Sequence, residues 1–240
     1  MTCHNCETIF ETKFCPNCGN PAILKRIDKH YLQHEFLHLF HVEKGFLYTV
    51  KMLLTKPGES IQSFLSNNRN KLMKPVPFLV FTSLIYTIVV SFVPVPEANT
   101  VTGDSADSYI NRILGWFQGH YAYANLASGF FIALCTKVFF RKYSYNYFEI
   151  MTMLCYILGI NMLSMTLLAL SFSFLNVIVY RILFSVFVYG YAVWAIAQFF
   201  NKGTIRSHLA AAATFILGYL LYFTTISIIG IVLDEIFKKT

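Results

Sequence analysis

Apolar positions are unevenly placed along this chain. Residues 1 to 75 interleave short apolar stretches with charged and polar clusters, whereas residues 76 to 233 are nearly continuous hydrophobe. A helix rises about 1.5 Å per residue, so about 20 apolar residues cover a hydrocarbon core of roughly 30 Å. Five segments suit that length: 76–95, 121–140, 148–170, 178–200 and 208–232. The first starts behind Arg69, Lys71, Lys74 and Pro75 and is stopped by Pro94-Val95-Pro96. From Phe148 to Phe200 there are 53 mostly apolar residues, too many for one span, which predicts a hairpin broken near Ser171-Phe172-Ser173-Phe174-Leu175-Asn176. Glu97 to Gln118 sets Glu97, Asp104 and Asp107 against a single Arg112 and predicts an acidic external loop. The expected fold class is an all-α integral membrane protein. About five transmembrane helices (76–240) follow a small cytosolic ribbon (1–22) and cytosolic juxtamembrane amphipathic helices (23–75).

Composition agrees with lipid and excludes much else. The 240 residues are 56% apolar, 17% aromatic and only 13% charged, against roughly a quarter charged in soluble domains. So few charges cannot cover that apolar surface in water, which argues against an ordinary cytosolic enzyme. The 19 Lys and Arg exceed the 12 Asp and Glu, for a net charge of +7. In a chain of this kind the excess reads as a topology signal and an affinity for anionic headgroups, with nucleic acid the weaker reading. Met1 is followed by Thr-Cys-His-Asn-Cys, with no basic stretch and apolar core of a signal peptide. The expectation is a multi-pass inner-membrane protein with a cytosolic N-terminus, Lys142, Lys202 and Arg206 inside, and Glu97, Asp104 and Asp107 outside. Five spans put the C-terminus outside, in mild conflict with Lys238 and Lys239.

The most specific chemical signal is Cys3-x2-Cys6 followed by Cys15-x2-Cys18, with Gly19 behind the second pair. Each Cys-x-x-Cys turn aims two sulfurs at one point, and two turns complete a tetrahedral shell for Zn²⁺. Disulfides would need an oxidising compartment, which a cytosolic N-terminus does not offer. Four thiolates close the shell, so the expected zinc is structural, with Cys3, Cys6, Cys15 and Cys18 as ligands and His4 as a neighbour. A module of about twenty residues cannot bury a core, so the metal must hold it folded. Cys135 and Cys155 fall inside spans and read as buried apolar thiols.

His34-Glu35-Phe36-Leu37-His38 matches the zincin motif, in which two His on one helix face bind zinc and the Glu activates water. At about 100° per residue, however, His30, His34, His38 and His41 share an arc of about 80°, opposite Leu32, Phe36, Leu39 and Phe40. That is the polar face of an amphipathic helix. Glu59, a possible third ligand, follows Pro57-Gly58 and reads as an acid in a helix first turn. The alternative of a membrane-associated zinc metalloprotease with His34 and His38 as ligands and Glu35 as base stands second.

Short amphipathic segments separated by Gly45 and Pro57-Gly58 follow, with Lys25, Lys29, Lys44, Lys51 and Lys56 available to anionic lipid along the inner leaflet. A paired Cys-x-x-Cys start, a Gly-Phe-x-x-Thr helix at Gly45 to Thr49, a Pro57-Gly58 helix start, a basic element at Arg69 to Lys71 and Pro75 at the first span occur in that order. This order resembles a bacterial family of membrane proteins of unknown function, over residues 1 to about 90. Asn67-Asn68 stands where that family usually has Gly. The resemblance implies no activity. The five-span layout is also distantly similar to Yip1-type membrane proteins of trafficking and membrane organisation.

The spans lack the acids and bases of a coupled carrier near the midplane. Lys137, Glu149, Arg181 and His208 lie near span ends, where snorkelling accounts for them. Asn125, Asn161, Ser164 and Thr166, with Gly129 and Gly159, read as helix-packing positions. The expected function is therefore a non-enzymatic scaffold that presents a zinc ribbon to a cytosolic protein partner at the membrane, with membrane lipid around it and homo-oligomers possible. A transporter built on the Asn161 region is the third reading.

Overall fold

A computed structural model describes residues 2–3, 6–19, 21, 26, 45–93, 108–200 and 204–237. The helices are α1 (Phe46–Thr55), α2 (Pro57–Ser66), α3 (Pro75–Phe92), α4 (Tyr109–Gly119), α5 (Tyr121–Phe139), α6 (Tyr147–Ser171), α7 (Val177–Phe184), α8 (Tyr191–Phe200) and α9 (Ile205–Phe237). A 3-10 turn at Phe172–Phe174 follows α6, and a π-helical segment at Ser185–Gly190 joins α7 to α8. Five helical runs are long and apolar enough to cross a membrane: α3, α5, α6, the run Val177–Phe200, and α9. They suggest a multi-pass membrane protein. Exposed Leu84, Ile88, Phe130, Leu134, Leu167 and Leu220 give the bundle the apolar exterior that lipid accepts and water does not. At 33 residues, α9 is about 50 Å long and exceeds a hydrocarbon core of roughly 30 Å.

α6 is the central post. Ile150, Met153, Leu154, Tyr156, Ile157 and Ile160 along it are all buried. α3 packs along one flank and α5 along another, while α9 lies against α5 and α8. One end of the bundle gathers Met73, Phe140, Tyr145, Phe199 and Phe200. The other gathers Tyr86 against Tyr121 and the last turn of α9 against the start of α4.

The juxtamembrane helices are built into the first of these ends, a contact that their amphipathic pattern left open. Thr49, Leu53, Ile61 and Phe64 have no exposed surface. α2 packs on α8, and the Gln62 amide donates to the Phe199 carbonyl at 2.6 Å. The Tyr191 hydroxyl donates to the Leu53 carbonyl at 3.1 Å. Gly45 opens α1 at φ 140°, a value side chains avoid, and that turn sends Phe46 against Phe78 and Phe81. The linker before α3 makes no helix of its own, so side chains must satisfy its buried backbone. Met73 N–H donates to the Thr49 hydroxyl at 2.8 Å, and its carbonyl accepts from the Tyr156 hydroxyl at 2.7 Å. Burial of one face leaves the other, with Leu47, Tyr48 and Leu54, exposed.

One correction concerns the expected acidic loop. Its part at 97–107 lies outside the described residues, but nearly all of its second half forms α4. Ser108 caps that helix, and Asp234 from the last turn of α9 accepts from the Ser108 hydroxyl at 2.6 Å and from Tyr109 N–H at 3.0 Å. A carboxylate beside the free N–H groups of a first turn is the favourable charge for a helix start. The helices also differ from the expected spans at their ends, with α3 stopping at Phe92 and α9 running from Ile205 to Phe237.

Candidate metal centre

Cys3, Cys6, Cys15 and Cys18 come together, with their four sulfurs all within 4.8 Å of one another. Two turns bring this about. In the first, Cys3 N–H donates to the Thr8 carbonyl and Glu7 N–H to the Cys3 carbonyl; in the second, Gly19 N–H donates to the Cys15 carbonyl at 2.8 Å. Antiparallel bridges Thr2–Ile9 and Phe14–Pro21 clamp the two turns. Both turns need a left-handed residue after the second Cys: Gly19 at φ 69° supplies it without strain, whereas Glu7 adopts φ 59° with a side chain attached.

The close sulfur pairs are Cys3–Cys18 and Cys6–Cys15 at 3.5 Å and Cys6–Cys18 at 3.4 Å. A tetrahedral ion with metal–sulfur bonds of about 2.3 Å requires sulfur–sulfur edges of about 3.8 Å. The cluster therefore fits one ion with little adjustment, and all four cysteines are free thiols. The Thr8 hydroxyl lies 3.2 Å from Cys6 Sγ. Hydrogen bonds from the Thr8 side chain and backbone lead the forces that draw the Cys6 thiol down to about 6, so it ionises readily for a metal. Buried Phe10 fills the space behind Cys3 and Cys15, and Ile9 and Phe14 remain 80% and 61% exposed. With four sulfurs on one ion no position is left for water or substrate, so the site can hold a fold but not hydrolyse a bond.

The second expected constellation does not enter this picture. His34, Glu35 and His38, like His4, His30 and His41, lie outside the described residues, and among the described residues the Cys cluster is the group that could hold a metal ion. Cys135 and Cys155 are buried within α5 and α6, as apolar thiols.

The sequence did not disclose how this end of the bundle is braced. Glu149 was expected to snorkel, yet its side chain is 7% exposed. It closes a capping box with Asn146 at the start of α6 and receives two hydrogen bonds from Arg26, at 2.8 and 2.6 Å. Arg26 also donates to the Ser144 carbonyl. Nearby, Lys137 Nζ donates to the Tyr145 carbonyl. Arg26 stands five residues beyond Pro21, the last bridged position of the Cys module, so the ion pair ties the chain leaving that module to the helical bundle. A bidentate Arg–carboxylate pair is among the stronger polar contacts a chain can make. Nothing in the spacing of two residues 123 positions apart announces it.

A family described as a protein of unknown function (DUF3667) matches residues 43–87. That range takes in α1, α2, the linker braced by Thr49 and Tyr156, and most of α3, and it begins after the Cys module. The resemblance read over residues 1 to about 90 is thus supported over the helical part alone. Neither the curated proteins nor the solved structures include a match to the chain.

Proposed function

We propose that the chain is a non-enzymatic membrane scaffold whose N-terminal module is a structural zinc ribbon, presented to a protein partner from the basic end of a five-span bundle. The observation that carries this reading is the cluster of four sulfurs, which would close the shell of a metal and reserve it for folding, and which leaves Ile9 and Phe14 exposed as an apolar surface for a partner. Zinc is favoured by the all-thiolate donor set at tetrahedral spacing. The Arg26–Glu149 pair then limits how far the ribbon can travel from the bundle.

Charge supports an orientation. Among the described residues Arg69, Lys71, Lys74, Arg141, Lys142 and Arg206 lie at the ribbon end, while at the other end Arg112 and Arg181 are matched by Asp234 and Glu235; Lys238 and Lys239, outside the described residues, weigh the other way. By the positive-inside bias the ribbon end faces the cytosol of an inner membrane.

The test is metal content and contact together. Full-length protein should carry one zinc per chain, lost on Cys3→Ser with Cys15→Ser and unchanged by His34→Ala with His38→Ala. A photo-crosslinker at Ile9 or Phe14 in cells should give one discrete protein adduct that disappears with Cys15→Ser. Two zincs per chain, with peptide cleavage abolished by Glu35→Gln, would overturn the scaffold in favour of a protease.

A further inference from the structure

A half-open cavity of about 950 Å³ lies between the helices of the bundle, walled by α4, α5, α6, the end of α7, the π-helical segment, α8 and α9. Along α9 its wall runs from His208 to Phe223, about 22 Å of helix at 1.5 Å per residue, most of a hydrocarbon thickness. The volume stands at the upper end of small-molecule sites, about 300–1,000 Å³. Among the described residues its lining contains no Asp, Glu, Lys or Arg.

Two features set it apart from loose helix packing. Asn161, in the middle of α6 and in the cavity wall, is 2% exposed, and neither its amide nitrogen nor its amide oxygen has a hydrogen-bond partner among the described residues. The sequence suggests an interhelical glue, but Asn161 bonds to none of the helices around it; Asn125, across the cavity on α5, is the amide that reaches one, through the Ser83 hydroxyl at 3.5 Å. An orphaned donor and acceptor at bilayer depth is expensive to keep and stabilises nothing by itself. The second feature is the wall at Ser185–Gly190, where the fourth span leaves α-helical geometry as it passes the cavity. Such π segments interrupt helices mostly at functional sites.

We propose that this cavity binds an uncharged, long-chained lipid whose head group carries both a hydrogen-bond acceptor and a donor, seated with that head on Asn161. The amide supplies N–H to a carbonyl or hydroxyl oxygen and accepts from a hydroxyl, satisfying both of its orphaned atoms at once. A phosphate-bearing headgroup is disfavoured at the site, since among the described residues the lining holds no Lys or Arg, and only the His208 imidazole at one end of the wall, to compensate the buried charge. Quinols and diacylglycerols share the required chemistry and are separated by experiment.

Trp194 lies in the cavity wall and Trp116 outside it, which gives an internal reporter. Full-length Trp116→Phe protein in nanodiscs would be titrated with a tail-brominated diacylglycerol, a tail-brominated phosphatidylglycerol of equal chain length, and a short-chain quinol. The expected result is saturable quenching of Trp194 by at least one neutral probe, weakened about tenfold by Asn161→Leu, with only gradual unsaturable quenching by the phospholipid. Which neutral probe saturates identifies the source. Identical curves for all three probes, or an affinity for the neutral probe that Asn161→Leu leaves unchanged, would overturn the proposal. Melting of the lipid-stripped protein gives an independent readout. Asn161→Leu should leave the melting temperature equal or higher, because an orphaned amide is removed; a clear fall would mean that Asn161 only holds helices together.

Discussion

If the segment at 43–87 is a working part of the bundle, Gly58 is the position where that can be broken most cleanly. A Cβ added there would lie 2.3 Å from the Gln198 carbonyl oxygen, 2.6 Å from its carbon and 2.9 Å from the Phe199 nitrogen. Carbon and oxygen approach no closer than about 3.3 Å even in favourable C–H···O contacts, so α2 and the end of α8 must separate by about 1 Å. Both surfaces are backbone, and no side chain can rotate out of the way. Overpacking of this kind costs about 1–3 kcal/mol, and here the top of the range applies. The separation also strains the Gln62–Phe199 and Tyr191–Leu53 hydrogen bonds beside it, each worth about 1 kcal/mol. Against this, replacing Gly by Ala in a helix gains up to about 1 kcal/mol. The balance is a loss of about 2–3 kcal/mol for Gly58→Ala.

Thermal unfolding followed by tryptophan fluorescence measures it, since Trp194 lies in α8 itself. At about 2–4 °C per kcal/mol for a chain of this length, the midpoint should fall by about 4–12 °C. Gly115→Ala is the internal control: nothing lies within 4 Å of the added Cβ, so the helix gain stands alone and the midpoint should hold or rise. If Gly58→Ala melted with Gly115→Ala, the close seating of α2 on α8 would be refuted, and with it the claim that the juxtamembrane helices are part of the bundle.

Three further outcomes follow from the same contacts. In a double-mutant cycle of Arg26→Ala and Glu149→Gln, a coupling of about 1 kcal/mol is expected, below the roughly 3–5 of a wholly buried pair because the Arg26 side chain is 61% exposed; a value near zero in thermal melts would dismiss the brace. Gly19→Ala forces a side chain into left-handed geometry at a cost of about 1–2 kcal/mol, which, if the module is held by the proposed zinc, should appear as a roughly 5- to 30-fold weaker zinc affinity by chelator competition, while Glu7→Gly should not weaken it. Thr49→Val leaves the Met73 N–H buried without its acceptor and should cost about 1–3 kcal/mol, with Thr49→Ser restoring most of the melting temperature.

These contacts also show why some of the structure was legible in the sequence and some was not. The spans were legible because each is a local property: some twenty apolar residues can satisfy their backbone in lipid only as a helix. The Cys module was legible for a similar reason, since two sulfurs in one tight Cys-x-x-Cys turn converge whatever the rest of the chain does. What escaped was decided by partners distant along the chain. The segment at 109–119 lacks a span's length, and its cap is completed by Asp234, 126 residues from Ser108. Glu149 at a span end looks the same whether it snorkels or is buried beneath an arginine 123 residues earlier. The juxtamembrane helices have the amphipathic pattern that either a leaflet or a protein surface would satisfy, and the close contact of Gly58 with α8, which puts one face on protein, is not written in that pattern. Asn161 is the sharpest case. An amide in an apolar helix signals a polar contact, and the sequence cannot say whether that contact is another helix or something that enters from outside. Among the described residues no helix supplies it, which turns an apparent packing residue into the head-group contact of the proposed lipid site.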